Sequence, residues 1–434
     1  MFGETNPQVL VVGAGPVGLF ASLNLAREGV RTAVVDTGVW PCKHSYALAL
    51  HPESISLLEK AGIAGQVLEG ARLVKSLAVC DGAGNVAEAR MDDLPGASTP
   101  MAVTRQDHLE TALESALRAQ GVEVKWRHEV ASLTPGEESV KVLLGRLEKE
   151  SRGYIVAHTE WVVGKTQEVE APFVIGADGY NSMVRRAMKI DFPEVGPAEY
   201  YAVFECQCGG DGGDELKVVV GDGTADVMWP LPGNAVRWSF QLTDYADEEA
   251  ELLKDKLLAA GFGYFPTERA KDRVTGAGDT RVDVLSDEHF RKLLAERAPW
   301  FKTPVESITW RTVVRFERRL ASAFGQGRMW LAGDSAHLTG PAGIQSMNTG
   351  LAEAAELSAQ LASIVTGGAP ALALEGYGQR WEKTWRKMHQ LDGKATAKTD
   401  APKVIRENAG RLVSCLPANA KHIGILAERL GIVI

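Results

Sequence analysis

Cysteine is scarce in this chain, with five in 434 residues: Cys42, Cys80, Cys206, Cys208 and Cys415. An odd, scattered set makes no disulfide framework. No second Cys or His pair stands at metal-ligand spacing from Cys206 and Cys208. The expectation is reduced, buried thiols in a cytoplasmic protein, with no metal site. Long apolar runs are missing too. No stretch reaches the roughly 18 uninterrupted apolar residues of a membrane span, so no membrane span is expected. The apolar N-terminal run follows Glu4 rather than a basic segment and is broken by three glycines, which does not fit a secretory signal. Positive charge is in deficit: 47 Lys and Arg against 56 Asp and Glu leave a net charge of −9. That balance argues against nucleic acid as a partner.

Glycine, by contrast, is plentiful at 45 residues, and it gathers in particular turns rather than repeating with a period. The first cluster lies in QVLVVGAGPVGLFASLNLAREGVRTAVVDT, which reads as strand, tight turn, helix, strand. Val9 to Val12 is a mostly β-branched run suited to a strand buried on both faces. Gly13, Gly15 and Gly18 form G-x-G-x-x-G directly after it. In such a unit the first glycine permits the turn, the second admits a pyrophosphate and the third lets helix and strand approach. Arg31 to Val35 gives the next strand, and Asp36 ends it where a carboxylate can accept bonds from a ribose. Strand, helix and closing acid together point to a bound dinucleotide, without separating NAD from FAD.

Two later stretches repeat the design. APFVIGADGYNSMVRRAM runs from a buried strand, Phe173 to Ile175, into Asp178-Gly179 and then a short helix with Arg185 and Arg186. Its plain alternative is an Asp-Gly turn beside a solvated basic pair. MWLAGDSAHLTGPAG carries a strand, Met329 to Ala332, into Gly333-Asp334 and on to a helical, Ala-rich segment. An acid at such a strand end suits a sugar-like hydroxyl, and a helix N-terminus suits electron-rich atoms.

These three pieces, in this order, resemble the FAD-dependent aromatic hydroxylases typified by p-hydroxybenzoate hydroxylase, a group that includes phenol and polyketide hydroxylases. The resemblance runs from Val9 to about Tyr377 and takes in ALALHPESISLLEKAGI and VTRQDHLETALESAL. It implies an α/β fold, with a Rossmann-like FAD-binding domain and a second, mostly antiparallel sheet as substrate domain. Gly13, Gly15, Gly18 and Asp36 would hold the ADP half of FAD. Arg105 and Gln106 would reach the phosphate and ribityl region, where Gly333 and Asp334 also bind. Asp178 would be shared between FAD and the reductant. Pro341, Gly343 and Asn348 would shape the loop at the flavin ring. There are departures: Ile344 and Ser346 replace frequent glycines, Tyr46 replaces a frequent arginine, and Glu353 replaces a frequent aspartate.

The expected cofactor domain is discontinuous, comprising 1–73, 101–190 and 311–365. The substrate domain would take 74–100 and 191–310, leaving 366–434 as a helical tail. Helices are expected over Glu248 to Ala260 and Asp287 to Arg297. The tail ends in an amphipathic segment suited either to packing on the cofactor domain or to a homodimer contact. Phe204, Met228, Trp229 and Trp238 are candidates to line the substrate, with ordinary sheet core as the alternative for each. His337 reads as structural or solvent-facing, His44 and His51 as packing residues, and no catalytic base stands out.

The resemblance implies hydroxylation of a small aromatic or polyketide-like molecule by O2 through a flavin C4a-hydroperoxide. NAD(P)H would be a transient reductant, since no second nucleotide unit is evident. A reductase or dehydrogenase on the same scaffold is the second reading. A nucleotide-binding protein without turnover is the third.

Overall fold

A computed structural model describes residues 6–39, 49–152, 158–243, 283–340 and 342–434. The expected helix Glu248 to Ala260, along with Cys42, His44, Tyr46 and Pro341, lies outside the described residues.

A six-stranded sheet carries the nucleotide unit. Its order is Gly325–Gln326, Met329–Leu331, Phe173–Gly176, Val9–Val12, Thr32–Val35, Val124–Lys125. Every neighbouring pair is parallel except the first, at the edge. Val9–Val12 and Phe173–Gly176 are buried at every residue, which is why they read as unbroken apolar runs. The helix Pro16–Arg27 rises from the glycine turn and packs against both Gln106–Ala119 and Gln345–Gly367. A three-stranded antiparallel sheet, His128–Pro135, Val140–Arg152 and His158–Ala171, occupies the stretch before Phe173. This sheet is not among the expected elements.

The second layer is an eight-stranded, mostly antiparallel sheet. Its order is His337–Leu338, Val305–Leu320, Glu194–Cys208, Ala235–Leu242, Ala225–Leu231, Glu215–Val220, Ser76–Asp81, Gly84–Arg90. Because Val305–Leu320 pairs along its length with Glu194–Cys208, the chain leaves this sheet only after Leu320, later than the expected boundary at 311. The helix Asp287–Arg297 forms where the sequence placed it, opened by Ser286, whose Oγ accepts the His289 backbone N–H at 3.1 Å.

The tail folds into helices Ala373–Met388, Lys403–Val413 and Ile423–Arg429. Its last helix packs on its own chain: Arg429 donates to the Arg90 carbonyl, and His422 Nε2 lies 3.1 Å from the Pro95 carbonyl. Among the described residues, no helix is long and apolar enough to cross a membrane. The described cysteines Cys80, Cys206, Cys208 and Cys415 are free and buried.

Candidate functional site

The three sequence turns meet. Gly13 adopts φ +105°, and a Cβ there would fall 2.1 Å from the Ala177 carbonyl oxygen, so only glycine fits against the Asp178 turn. A Cβ on Gly18 would lie 2.0 Å from the Gly13 oxygen, so the helix sits directly on the turn. Gly15 differs from both: nothing lies within 4 Å of where its Cβ would stand. That open flank at a helix N-terminus with no side-chain cap is where a pyrophosphate needs room and donors.

The third turn closes on the other two. Ala332 donates its N–H to the Gly176 carbonyl at 3.0 Å, and Ser335 Oγ donates to the same oxygen at 2.6 Å. Arg185 is not part of a solvated pair. It is 6% exposed and donates to the Ser335 carbonyl at 2.7 Å, clamping the second turn to the third, with its guanidinium 3.9 Å from the Phe192 ring centroid. Arg186 alone is exposed.

Three acids stand at these strand ends. Asp36 accepts the Ala14 and Gly38 backbone N–H groups at 2.7 and 2.6 Å, and burial pushes its carboxyl up against those bonds. Asp178 Oδ2 accepts from Met183 N at 2.7 Å, while its buried Oδ1 has no partner among the described residues. Burial likewise raises the Asp178 carboxyl. Asp334 is open to solvent at its surface yet set in a recess of protein atoms, which pushes its carboxyl up. Its Oδ1 accepts from Ser346 Oγ at 2.5 Å. An open glycine flank, an orphaned acceptor and an exposed acceptor on three turns that pack together fit the phosphates and hydroxyls of FAD.

Behind Asp334 lies a buried hub. Glu353 accepts from Gly333 N at 2.8 Å and from Trp385 Nε1 at 2.7 Å, and His337 Nε2 lies 2.9 Å from its carboxylate. His337 stacks on Trp385 at 3.8 Å between centroids, and its Nδ1 lies 3.2 Å from Ser346 Oγ. His337 is therefore structural, and Glu353 and Ser346 join it to Asp334.

The loop that leads into the helix Gln345–Gly367 is braced on two sides. Asn348 Oδ1 accepts from His51 N, and Asn348 Nδ2 donates to the Ala49 and Ile344 carbonyls. His51 Nε2 bonds the Gly343 carbonyl at 2.9 Å, and burial lowers this imidazole to about 3, keeping it neutral. Gln345 Nε2 donates to the Val413 and Leu416 carbonyls, so the tail holds the loop from behind. A Cβ on Gly343 would lie 2.6 Å from the Leu416 oxygen. Ile344 is left-handed at φ +47°, a costly conformation for a β-branched residue. Ile344→Gly should therefore raise stability by about 1 kcal/mol, after some loss of packing from this half-buried side chain. Thermal denaturation checks it; a lower melting temperature means that packing outweighs strain.

Arg105 and Gln106 line a shallow recess with Ala49, Leu50, Thr104, Leu109 and Met347. Arg105 is paired with Asp107 at 3.1 Å, a bond that a phosphate would compete for.

Three of the four substrate-lining candidates lie in sheet core, the alternative given for each. Phe204 is registered opposite Trp238, and Trp238 opposite Met228, so the three share one face of the sheet. That face is sealed by the helix Asp287–Arg297 and its neighbours, with Phe204 4.9 Å from Phe290 and Trp238 5.4 Å from Phe301 between centroids. Arg297 ties the cover down through Asp226 Oδ1 at 2.9 Å. These residues are outer core. Trp229 lies on the opposite face, in line with Glu205 and Arg237, in the core shared with the cofactor layer. Arg237 is buried, donates to Glu205 Oε1 at 2.9 Å and lies 5.5 Å from the Trp310 ring. Phe204→Leu should cost about 1–2 kcal/mol of stability, ordinary for a core truncation. Substrate preference, measured across a panel, should stay unchanged; an altered preference would return Phe204 to the substrate wall.

The FAD binding domain family model matches residues 6–208 and 260–391, covering all three turns. The chain belongs to that family. Its relatives include a 6-methylpretetramide 4-monooxygenase from Streptomyces rimosus, 28% identical over 86% of this chain and 58% of the relative. A pentachlorophenol 4-monooxygenase from Sphingobium chlorophenolicum is 26% identical over 85% of this chain and 60% of the relative. The chain thus spans about three-fifths of the length of these curated relatives. A p-nitrophenol 4-monooxygenase structure from Pseudomonas putida has the same fold: TM-score 0.68, 20% identity, 99% of each chain covered. An aklavinone-11 hydroxylase solved with FAD and aklavinone aligns at TM-score 0.62 and 20% identity, over 90% of this chain and 68% of its own. FAD is the cofactor of this family member.

Proposed function

We propose that this chain is an FAD-dependent monooxygenase that hydroxylates an aromatic or polyketide-like small molecule, with NAD(P)H as transient reductant. The observation that carries the reading is the packing together of the Gly13, Asp178 and Asp334 turns, in a family whose relatives include a 6-methylpretetramide and a pentachlorophenol monooxygenase. When bound, FAD supplies the electron- and oxygen-transfer chemistry, which no amino-acid side chain provides.

The chain's own residues bind, orient and exclude water. Asp36 and Asp334 present acceptors suited to sugar-type hydroxyls, and Asp178 offers the oxygen that has no partner among the described residues. Arg105, on exchanging Asp107 for a phosphate oxygen, neutralises charge at the recess. The loop after Gly340, held by His51, Asn348 and Gln345, fixes one wall. The inner face of the large sheet, with Trp229, Tyr201 and the Glu205–Arg237 pair, fixes the other.

The test is a panel of phenols, hydroxybenzoates and fused-ring polyphenols on the FAD-loaded protein. At least one compound should accelerate NAD(P)H oxidation, with O2 consumed in proportion to hydroxylated product. Turnover of the compound under strict anaerobiosis would instead assign a reductase.

A further inference from the structure

The strand Glu194–Cys208 brings a carboxylate to the loop assigned to the flavin ring. Glu199 Oε2 stands so close to Gly340 that a Cβ there would lie 3.3 Å from it. Gly340 directly precedes Pro341 in sequence, so this oxygen lies beside the start of that loop. Glu199 is half-buried.

Its surroundings come from three further elements. Tyr201, two residues on, and Gln241, from the neighbouring strand, are within hydrogen-bonding reach of the carboxyl. Arg318, from the strand on the other side, and Arg411, from a tail helix, act on it electrostatically. Tyr201 is 2% exposed, and burial beside Glu199 holds its hydroxyl well above the ordinary range. It therefore stays protonated and acts as a donor, leaving Glu199 as the acceptor. Cys415 and Asp226 also bear on Tyr201, both favouring its neutral form. Burial raises the Glu199 carboxyl, more than the two arginines and the hydrogen bonds lower it. The group is a carboxylate with a strengthened hold on a proton.

Resting on the monooxygenase reading, we propose that Glu199 accepts the proton of a substrate's ring hydroxyl, and that this site takes phenols and enolised polyketide hydroxyls in preference to aryl carboxylates. The substrate O–H bond breaks, its electron pair stays on the oxygen as phenolate, and a new O–H bond forms on the Glu199 carboxyl. Net charge is unchanged, and Arg318 and Arg411 face the anion before and after transfer. The phenolate enriches the ring in electrons, which an electrophilic oxygen donor requires. An aryl carboxylate in the same place would set two anions side by side.

The probe is 4-nitrophenol, whose phenolate absorbs at longer wavelength than the neutral phenol, bound to FAD-loaded protein without reductant. At a pH one unit below the free dye's own midpoint, the bound dye should show a phenolate fraction several-fold above the free dye. That fraction should stay nearly constant on further acidification, because the proton stays within the complex. Glu199→Gln should bind the dye but lose the excess, a change of about tenfold in the ratio of phenolate to phenol, equivalent to about one pKa unit. Glu199→Asp, which keeps the carboxylate, should retain part of it, and guards against a Gln variant that folds poorly. Benzoate should compete weakly with the dye.

An unchanged phenolate fraction in Glu199→Gln would overturn the assignment and leave the monooxygenase reading standing. Bound dye that remains neutral in the unaltered protein would do the same. If no phenol binds or stimulates NAD(P)H oxidation, the aromatic reading falls and this inference with it.

Discussion

Glu353→Ala should lower the stability of the folded chain by about 3–5 kcal/mol, the usual loss when a buried polar hub is emptied on one side. The side chain is completely buried and serves three partners from three segments: the Gly333 N–H, the Trp385 indole and the His337 imidazole. Removing it leaves two N–H donors and an imidazole in a dry site, each costing about 1–3 kcal/mol when unsatisfied. Glu353→Gln restores the volume but turns one accepting oxygen into a donor. One of the three donors is then opposed, so the loss shrinks without vanishing. Because Gly333 is one of the partners, FAD affinity should fall along with stability. Chemical denaturation checks the first effect. A loss below 1 kcal/mol in the Ala variant would show that the hub is solvated.

Asp334→Ala should weaken FAD roughly ten- to a hundredfold, with little effect on the fold. Hydrogen bonds to a charged acceptor contribute about 1.5–3 kcal/mol, and each 1.4 kcal/mol is a factor of ten in affinity. The carboxylate is exposed, and among the described residues it accepts from the Ser346 hydroxyl, which a ribityl hydroxyl would have to displace or share. Ser346→Ala removes that competitor and should tighten FAD by a few-fold. Flavin fluorescence quenching measures both. Unchanged affinity in Asp334→Ala would detach the third turn from the cofactor.

The cofactor layer was legible because its signals are local. Val9–Val12 and Phe173–Gly176 are buried on both faces and therefore written as unbroken apolar runs, and each runs into a turn that only small residues can make. The helix Asp287–Arg297 carried its own cap and acidic first turn. Which of the aromatic candidates are plain sheet core was not legible, for a different reason. Aromatic content says nothing about which face of a sheet a residue occupies, and strand register does. Phe204, Met228 and Trp238 fall in one cross-strand row against the outer helix, while the next row carries Glu205, Arg237 and Trp229 inward. Arg185 and Glu353 were hidden because their partners, Ser335 and Trp385, lie 150 and 32 residues away. Glu199 was hidden for the same reason. Nothing near it in sequence indicates Gly340, Gln241, Arg318 or Arg411.

The proposed insertion of oxygen from O2 into an aromatic ring is tested most directly by supplying isotopically heavy O2 to the FAD-loaded protein with NAD(P)H and a stimulating phenol, and weighing the product. A hydroxylated product carrying one heavy oxygen atom per molecule formed is the expected result. A product oxygen drawn from water, or a substrate altered without gaining oxygen, would contradict it.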